Sequence, residues 1–254
     1  GRAPEKASVE TAFDGRGRVR SGSRLFVQGF AATPGPLLDS FYHYAQRRAL
    51  RDVEILHLIL EGAPLWATAG DGQDMMNIHE PHAMRSNNLF VGRNMRASVA
   101  SGTADYTPVF LSDVPRLLAS TELAVALVTV SPPDEQGYCS LGVSVDVTRA
   151  ALRHADRVVA LANSRMPRTF GDGTIHQSNI DVLVPFDFPL AERPLPPSGE
   201  LEKKIGGFVS ELVEDGATLQ IGTGALPSAA ARELKSHREL GIHAETFGDE
   251  VMEL

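Results

Sequence analysis

The chain has 254 residues, of which 43% are hydrophobic and 22% are charged, so its composition is that of a globular protein with one large or two modest domains. The net charge of −8 gives no basic surface for nucleic acid or anionic membranes, and no apolar run approaches the ~18 residues that span a bilayer. A single cysteine, Cys139, excludes an internal disulfide framework and a multi-cysteine metal site, and it favours a reducing compartment.

Short β-branched runs alternate with turns and helical stretches along the first part of the chain. Residues 24–28 and 53–60 predict strands, and residues 36–51 between them predict a helix. Such a βαβ unit implies parallel strands joined by a right-handed crossover. A further helix is predicted at 146–155, with Asp146 as its cap. Further strands are predicted at 88–92, 122–130, 157–163 and 181–186.

Prolines at positions 194, 196 and 197, within the segment 189–200, mark a linker, so we expect a first α/β domain over residues 1–190 and a second unit over 191–254. The second unit repeats the alternation of helix and strand. Its predicted elements are a helix at 202–216, a strand at 217–221, a turn at 222–227, a helix at 228–237 and a strand at 240–246. The apolar residues at the end carry no helix-stop signal, so we expect this second domain to be truncated.

A glycine-rich turn and a glutamate follow the two predicted strands of the second unit. In a parallel sheet all strands end on one rim, where ligands bind. The turn 222–227 comes after the first strand, and Glu245 follows close to the end of the second. Free amides at a helix start attract anions, so the pair is a candidate ligand site. The alternative is a tight connecting turn and a surface carboxylate, and these residues alone leave both open.

Four segments, at 106–115, 130–151, 163–181 and 241–249, resemble the acetyl-CoA hydrolase/transferase family, which includes 4-hydroxybutyrate CoA-transferase. The resemblance extends from about residue 20 to the end of the chain. It implies a NagB/RpiA/CoA-transferase-like α/β fold with mostly parallel sheets flanked by helices. It also implies that residues 191–254 begin a second domain of the same kind.

The resemblance also implies a set of site residues. Glu245 matches the family's nucleophile, which attacks an acyl-CoA thioester. The family's CoA-contacting turn matches Gly222, Thr223, Gly224, Ala225 and Leu226. Just beyond a predicted strand, candidates for the rim of the substrate site are Asn163, Met166 and Pro167.

The implied activity is an acyl-CoA:carboxylate CoA-transferase of the acetate or 4-hydroxybutyrate/butyrate type, with a covalent glutamyl-CoA intermediate. Its substrates would be an acyl-CoA and a small carboxylic acid, with no metal or other cofactor. A cytoplasmic homo-oligomer is expected, or a mitochondrial one in a eukaryote.

The sequence departs from the family pattern in two ways. A later glycine-rich segment that helps to hold CoA in the family is absent, which predicts weak CoA binding. Glu250 stands where the family usually has a small residue.

Three other functions remain alternatives. An acyl-CoA hydrolase would use the same glutamate with water as the acceptor, and the sequence does not separate it from a transferase. A non-catalytic CoA-binding fragment is also compatible with truncation. A nicotinamide dehydrogenase is disfavoured because Pro227 stands where the dinucleotide-binding motif has Gly or Ala.

Several residues outside the turn have reactive side chains but are expected to have structural and not catalytic roles. We expect Cys139 to be a small buried residue, since no base lies near it in the sequence. His176 is expected to make structural hydrogen bonds in a loop. Asp134 and Glu135 follow two prolines and are expected to belong to a turn rather than to act as an acid/base pair.

Overall fold

The computed structural model describes residues 3–14, 19–62, 64–68, 83–192 and 198–254. The chain divides into two compact units, Gly1–Glu192 and Arg193–Leu254. The strands of the first unit are β1 (Glu5–Lys6), β2 (Arg24–Val27), β3 (Val53–His57), β4 (Met84–Asn88), β5 (Asp105–Tyr106), β6 (Val125–Val130), β7 (Tyr138–Ser140), β8 (Val158–Ala162), β9 (Thr174–His176) and β10 (Val182–Pro185). Its α-helices are α1 (Gly35–Arg47), α2 (Leu65–Thr68), α3 (Arg96–Ala100), α4 (Val114–Ala119) and α5 (Thr148–His154).

Within the described residues, eight strands of the first unit form one sheet in the order β1-β10-β8-β6-β2-β3-β4-β5. Every neighbouring pair in this sheet is parallel. From β2 the chain proceeds outward through β3, β4 and β5, and it then returns to place β6, β8 and β10 on the other side. The order therefore reverses between β2 and β6, which is where ligands bind in open α/β sheets.

Alternating side chains of β2 fill the two faces of the sheet. Leu25 and Val27 join the cluster formed with α1, where Phe41 is fully buried. Phe26 points to the opposite face and joins the cluster that includes Leu118 of α4. Period-2 alternation on a sheet covered by helices on both faces gives the three-layer arrangement of an α/β domain.

The second unit contains α6 (Glu200–Ser210), β11 (Thr218–Leu219), α7 (Ala225–Glu233), β12 (Gly241–Ile242) and α8 (Asp249–Met252). Strands β11 and β12 are parallel and pair Thr218 with Gly241. Helices α6 and α7 pack closely at Gly206, where an added Cβ would lie 2.9 Å from the carbonyl oxygen of Ala229. The small residue permits this contact between a helix and a neighbouring backbone.

Most predicted elements of the first unit are confirmed with shorter bounds, but the strand predicted at 88–92 is wrong. The strand at this place is β4, which precedes the apolar residues and carries a polar sequence. Its inward positions include Ser86 and Asn88, and both are buried. The side-chain amide of Asn88 donates to the carbonyl oxygen of Asp105 at 2.9 Å, so hydrogen bonding allows this polar residue to lie inside.

The predicted elements of the second unit also have different bounds. The helix predicted at 202–216 is α6, which begins at Glu200 and ends at Ser210, and the strand predicted at 217–221 is regular only over β11. Helix α7 begins at Ala225, three residues before the predicted start, because Pro227 is tolerated in the first helical turn. The strand predicted at 240–246 is regular only over β12, and residues 243–248 continue without regular pairing. Among the described residues, no helix has the length and apolarity to cross a membrane.

We expect Gly29→Ala to destabilise the first unit, because the added Cβ would lie 2.5 Å from the carbonyl oxygen of Ile59. The backbone must shift to relieve this clash, at a cost of about 1–3 kcal/mol in the free energy of unfolding. Urea denaturation measures this cost. The matched control is Gly35→Ala, where no atom of the described residues lies within 4 Å of the new methyl group. Equal stability of the two variants would contradict the close approach at Gly29.

Candidate functional site

The turn between β11 and α7 presents a run of unpaired backbone amides. No N–H group from residue 222 to residue 226 donates a hydrogen bond to another described residue. The Ser228 amide closes the turn by donating to the carbonyl oxygen of Gly224 at 3.1 Å. The exposed residues of this segment include Gly222, Thr223 and Gly224. Five consecutive free donors at a helix start form an arrangement suited to an anionic oxygen.

Gly224 supplies the backbone conformation that produces this turn. Its φ is 129° and its ψ is 175°, a region that is essentially restricted to glycine. An added Cβ at Gly224 would meet only Pro227, at 3.9 Å, and one at Gly222 would likewise meet only Pro227 at 3.9 Å. The space in front of both glycines is therefore open within the described residues.

Glu245 follows β12 at the same end of the parallel pair. The amide of His243 donates to the carbonyl oxygen of Leu219 at 2.9 Å, which extends the pairing by one hydrogen bond beyond β12. Glu245 comes two residues later and is exposed. Its carboxylate has no hydrogen bond or ion pair with any residue that the structure describes. The β11–α7–β12 unit therefore brings free amides and an unpaired carboxylate to one edge.

The predicted rim residues of the first unit lie after β8. Asn163 is buried, its side-chain amide donates to the carbonyl oxygen of Phe188 at 2.9 Å, and its Oδ1 accepts from the amide of Arg165 at 3.0 Å. Met166 is also buried, whereas Pro167 is exposed. Internal contacts thus occupy Asn163, and the assignment of these three residues as substrate contacts stays a prediction.

The structural interpretations of Cys139 and His176 are confirmed. Cys139 is fully buried, and burial raises the pKa of its thiol to about 11, so it is uncharged at neutral pH. The Nδ1 atom of His176 lies 2.8 Å from the hydroxyl oxygen of Ser178, and its Nε2 atom lies 3.1 Å from the carbonyl oxygen of Gln136. Both ring nitrogens are therefore engaged in structural hydrogen bonds, although His176 is the last residue of strand β9 and not part of a loop.

Asp134 belongs to a turn, as predicted. Its Oδ1 accepts hydrogen bonds from the amides of Gln136 and Tyr138, at 3.0 and 2.8 Å. Arg168 lies 2.9 Å from its Oδ2. The hydrogen bond from Tyr138 is the main cause that lowers the pKa of Asp134, so this carboxylate is ionised and committed to structure.

A buried histidine at the end of β3 was not identified from the sequence. His57 donates from Nδ1 to the carbonyl oxygen of Leu58 at 2.8 Å, since that oxygen can only accept. Its Nε2 then accepts from the hydroxyl group of Ser86 at 3.1 Å, and Ser86 accepts from the indole of Trp66 at 3.0 Å. Burial lowers the pKa of His57 to about 4, which keeps the ring neutral. An apolar strand pattern gives no local signal for this network.

Gln28, directly after β2, connects the sheet to a loop beside the reversal of strand order. Its Oε1 accepts from the amide of Thr129 in β6 at 2.7 Å. Its Nε2 donates to the carbonyl oxygen of Ser144 at 2.7 Å. Because Gln28 is fully buried, these bonds hold the loop at the carboxyl end of β2 in place.

Residues 7–188 match the family model for the acetyl-CoA hydrolase/transferase N-terminal domain. The chain belongs to the acetyl-CoA hydrolase/transferase family. Its resemblance to this family, which the sequence motifs indicated, is confirmed over nearly the whole first unit.

Two relatives show how far the similarity extends. The chain is 43% identical over 241 residues to succinyl-CoA:acetate/propanoyl-CoA:succinate CoA transferase of Fasciola hepatica, and the alignment covers 94% of this chain and 48% of the relative. It is 46% identical over 251 residues to 4-hydroxybutyrate coenzyme A transferase of Clostridium kluyveri, which covers 98% and 56%. The chain therefore spans about half the length of the curated relatives it matches.

Solved structures of similar fold confirm the predicted fold class. RipA from Yersinia pestis superposes with a TM-score of 0.83 at 30% identity, covering 98% of this chain and 58% of RipA. A 4-hydroxybutyrate CoA-transferase from Porphyromonas gingivalis superposes with a TM-score of 0.74 at 32% identity, covering 98% and 56%. The chain thus has the mostly parallel α/β fold of CoA-transferases.

We expect the free energy of unfolding of the first unit to fall as the pH is lowered from about 6.5 to about 4. The pKa of His57 is lower in the folded than in the unfolded chain, so the unfolded chain binds a proton at a higher pH. Between these two pKa values the free energy of unfolding therefore decreases by up to about 3 kcal/mol. Urea denaturation at several pH values measures this. In His57→Gln this part of the pH dependence should disappear, whereas it should persist in His43→Gln, which changes an exposed histidine. A parallel slope in both variants would exclude His57 as its source.

We expect Gly224→Val to destabilise the second unit by about 1–3 kcal/mol, because valine resists a φ of 129°. The control Gly222→Ala adds a methyl group to open space in the same turn without a positive φ, so its cost should be small. Thermal or urea unfolding compares them. Unchanged stability of Gly224→Val would show that the turn does not require this conformation.

Proposed function

We propose that this chain carries the nucleophile of an acyl-CoA:carboxylate CoA-transferase, and that Glu245 is that nucleophile. One observation carries the proposal: the parallel β11–α7–β12 unit brings the unpaired carboxylate of Glu245 and the free amides of residues 222–226 to the same edge. Membership of the acetyl-CoA hydrolase/transferase family and the names of the two CoA transferases above support it.

The first half of the proposed reaction transfers CoA to the protein. The Glu245 carboxylate attacks the thioester carbonyl carbon, the carbon–sulfur bond breaks, and CoA leaves as a thiolate, which gives a mixed acyl-glutamyl anhydride. The thiolate then attacks the glutamyl carbonyl of this anhydride. The acyl group leaves as a free carboxylate, and a glutamyl-CoA thioester remains.

The second half repeats these steps in reverse with another carboxylate. The incoming carboxylate attacks the glutamyl-CoA thioester and releases the thiolate, again through an anhydride. The thiolate attacks the acyl carbonyl of that anhydride, which forms the new acyl-CoA and regenerates the Glu245 carboxylate. Electrons and atoms balance over the cycle without an oxidant or a reductant.

The free amides of the turn have a defined task in this sequence. Each attack produces a tetrahedral carbon with a negatively charged oxygen, and preorganised N–H donors stabilise such an oxygen as it forms. We assign this task to the donors of Gly222, Thr223, Gly224, Ala225 and Leu226. Their arrangement at the start of α7 adds the positive end of the helix dipole.

Because the carboxylate of Glu245 is exposed, the proposed reaction requires that water be excluded from it when the acyl-CoA binds. A carboxylate in water is a weak nucleophile, and removal of its hydration strengthens its attack on a thioester. The Glu245 carboxylate has no partner among the described residues, so no internal ion pair has to be broken before it reacts. We propose a small aliphatic acid, such as acetate, butyrate or 4-hydroxybutyrate, as the acceptor.

We also propose that residues 191–254 begin a second CoA-transferase-like domain, because the second unit repeats the parallel βαβ arrangement of the first.

An acyl-CoA hydrolase would use the same glutamate, but water would hydrolyse the covalent intermediate. CoA release that requires no carboxylate acceptor would identify it.

We expect Glu245→Gln to abolish CoA transfer from acetyl-CoA to butyrate in the full-length protein, since an amide cannot form the anhydride. The loss should exceed about 1,000-fold in kcat while the melting temperature stays unchanged. Treatment of the wild type with acyl-CoA and then hydroxylamine should modify Glu245, as shown by peptide mapping. The control Glu233→Gln changes an exposed glutamate at the end of α7 and should keep full activity. Retention of activity by Glu245→Gln would move the nucleophile elsewhere.

A further inference from the structure

Glu250 is a buried carboxylate in the short helix α8, five residues after Glu245. Its residue surface is only 4% exposed, whereas Asp249 and Glu253 beside it are exposed. The Oε1 atom of Glu250 accepts a hydrogen bond from the hydroxyl group of Ser228 at 2.8 Å. Ser228 is itself 1% exposed, so this contact between α8 and α7 is shielded from water.

Ser228 contacts both halves of the candidate site. Its amide donates to the carbonyl oxygen of Gly224, and its hydroxyl group donates to Glu250. Gly224 determines the path of the turn that presents the free amides. Glu250 ends the segment that begins at β12 and contains Glu245. The two hydrogen bonds of Ser228 therefore join the donor turn to the segment of the nucleophile.

The backbone before α8 leaves room for this arrangement. A Cβ added at Gly248 would lie 2.8 Å from Oε1 and 2.9 Å from Oε2 of Glu250, so the carboxylate folds back over the glycine. A larger residue at 248 would displace it. Gly248 thus permits the chain to pass directly beneath the carboxylate on its way from Glu245 to α8.

Stability alone does not account for a carboxylate at this position. The Oε2 atom of Glu250 is buried and has no hydrogen-bond partner among the described residues. A buried carboxylate with incomplete hydrogen bonding costs free energy, and an apolar residue of similar size would avoid that cost. By contrast, Lys235 and Glu253 join the same part of the unit through an exposed ion pair at 2.6 Å.

We infer that Glu250 is a positioning residue for the candidate site. By holding Ser228, it fixes the segment that bears Glu245 against the first turn of α7, and so it sets the orientation of the carboxylate relative to the free amides. This inference rests on the proposed function of Glu245. Glu250 itself takes no part in bond formation or proton transfer.

Steady-state kinetics of CoA transfer in the full-length protein test the inference. Glu250→Ala and Ser228→Ala should each lower kcat about 10- to 100-fold, because a misplaced reacting group loses the preorganised geometry. KM for acyl-CoA should stay within about twofold, since the binding groups remain. Glu250→Gln keeps an acceptor oxygen for Ser228 and should recover most of kcat. The control Glu253→Ala removes a neighbouring carboxylate and should leave kcat unchanged.

The double variant Ser228→Ala/Glu250→Ala provides a second criterion. If one hydrogen bond carries the effect, the double variant should lose no more kcat than either single variant. Independent, multiplying losses would overturn the inference. So would a normal kcat in both single variants, or a Glu250→Gln variant as impaired as Glu250→Ala.

Hydrogen–deuterium exchange separates this inference from the proposed function. The hydrogen-bonded amides of residues 228, 243 and 251 should exchange at least about tenfold faster in Ser228→Ala and Glu250→Ala, but not in Glu253→Ala. A wild type without CoA-transfer activity would refute the proposed function and leave this measurement to decide the inference. If Glu250→Ala does not fold, Ser228→Ala, which removes a single oxygen atom, carries the test. Unchanged exchange of the amides of residues 228, 243 and 251 would overturn the positioning role.

Discussion

The parallel pairing of β11 with β12 is the constraint on which the candidate site depends. Parallel strands end on the same side, so the chain must leave β11 through a turn, return along α7 and leave β12 at the same edge. Each strand is only two residues long, yet the pairing determines which backbone groups meet there. The exit from β11 supplies free amides and the exit from β12 supplies Glu245.

The groups at this edge are those that the fold leaves unsatisfied. A helix start has N–H groups without internal acceptors, and here no side chain of the described residues caps them. In the first unit, by contrast, the polar groups beside the reversal of strand order are satisfied internally. There the hydrogen bonds of Gln28 hold a loop to β6. Satisfied polar groups give rigidity, and unsatisfied ones leave binding capacity for a ligand.

Much of the fold could be predicted from local sequence because its central strands are apolar and β-branched. Strands β6 and β8 are buried along their whole length, and their hydrophobic runs stand out between turns. The prediction placed this strand too late because residues 85–87 of β4 are polar. The buried Ser86 depends on hydrogen bonds to His57 and Trp66, which are distant in sequence, so a pattern of hydrophobicity favoured the apolar residues after β4. Local patterns do not contain such tertiary hydrogen bonds.

The candidate site was predictable to a different degree for each component. The glycines and Glu245 follow strands in sequence, so their placement at one edge follows from the βαβ pattern together with the family resemblance. The neutral state of His57 and the burial of Glu250 had no local signal, because both depend on contacts with residues more than 20 positions away. Sequence therefore indicates where reactive groups emerge, whereas packing determines how they are held.

The buried thiol of Cys139 can serve as an internal probe of local unfolding in the first unit. It is the only cysteine of the chain, it lies in strand β7, and no part of it is exposed. A thiol-modifying reagent can reach it only in molecules in which the surrounding hydrophobic cluster has separated. The rate of alkylation under native conditions therefore reports the frequency with which this part of the first unit opens, without any added label.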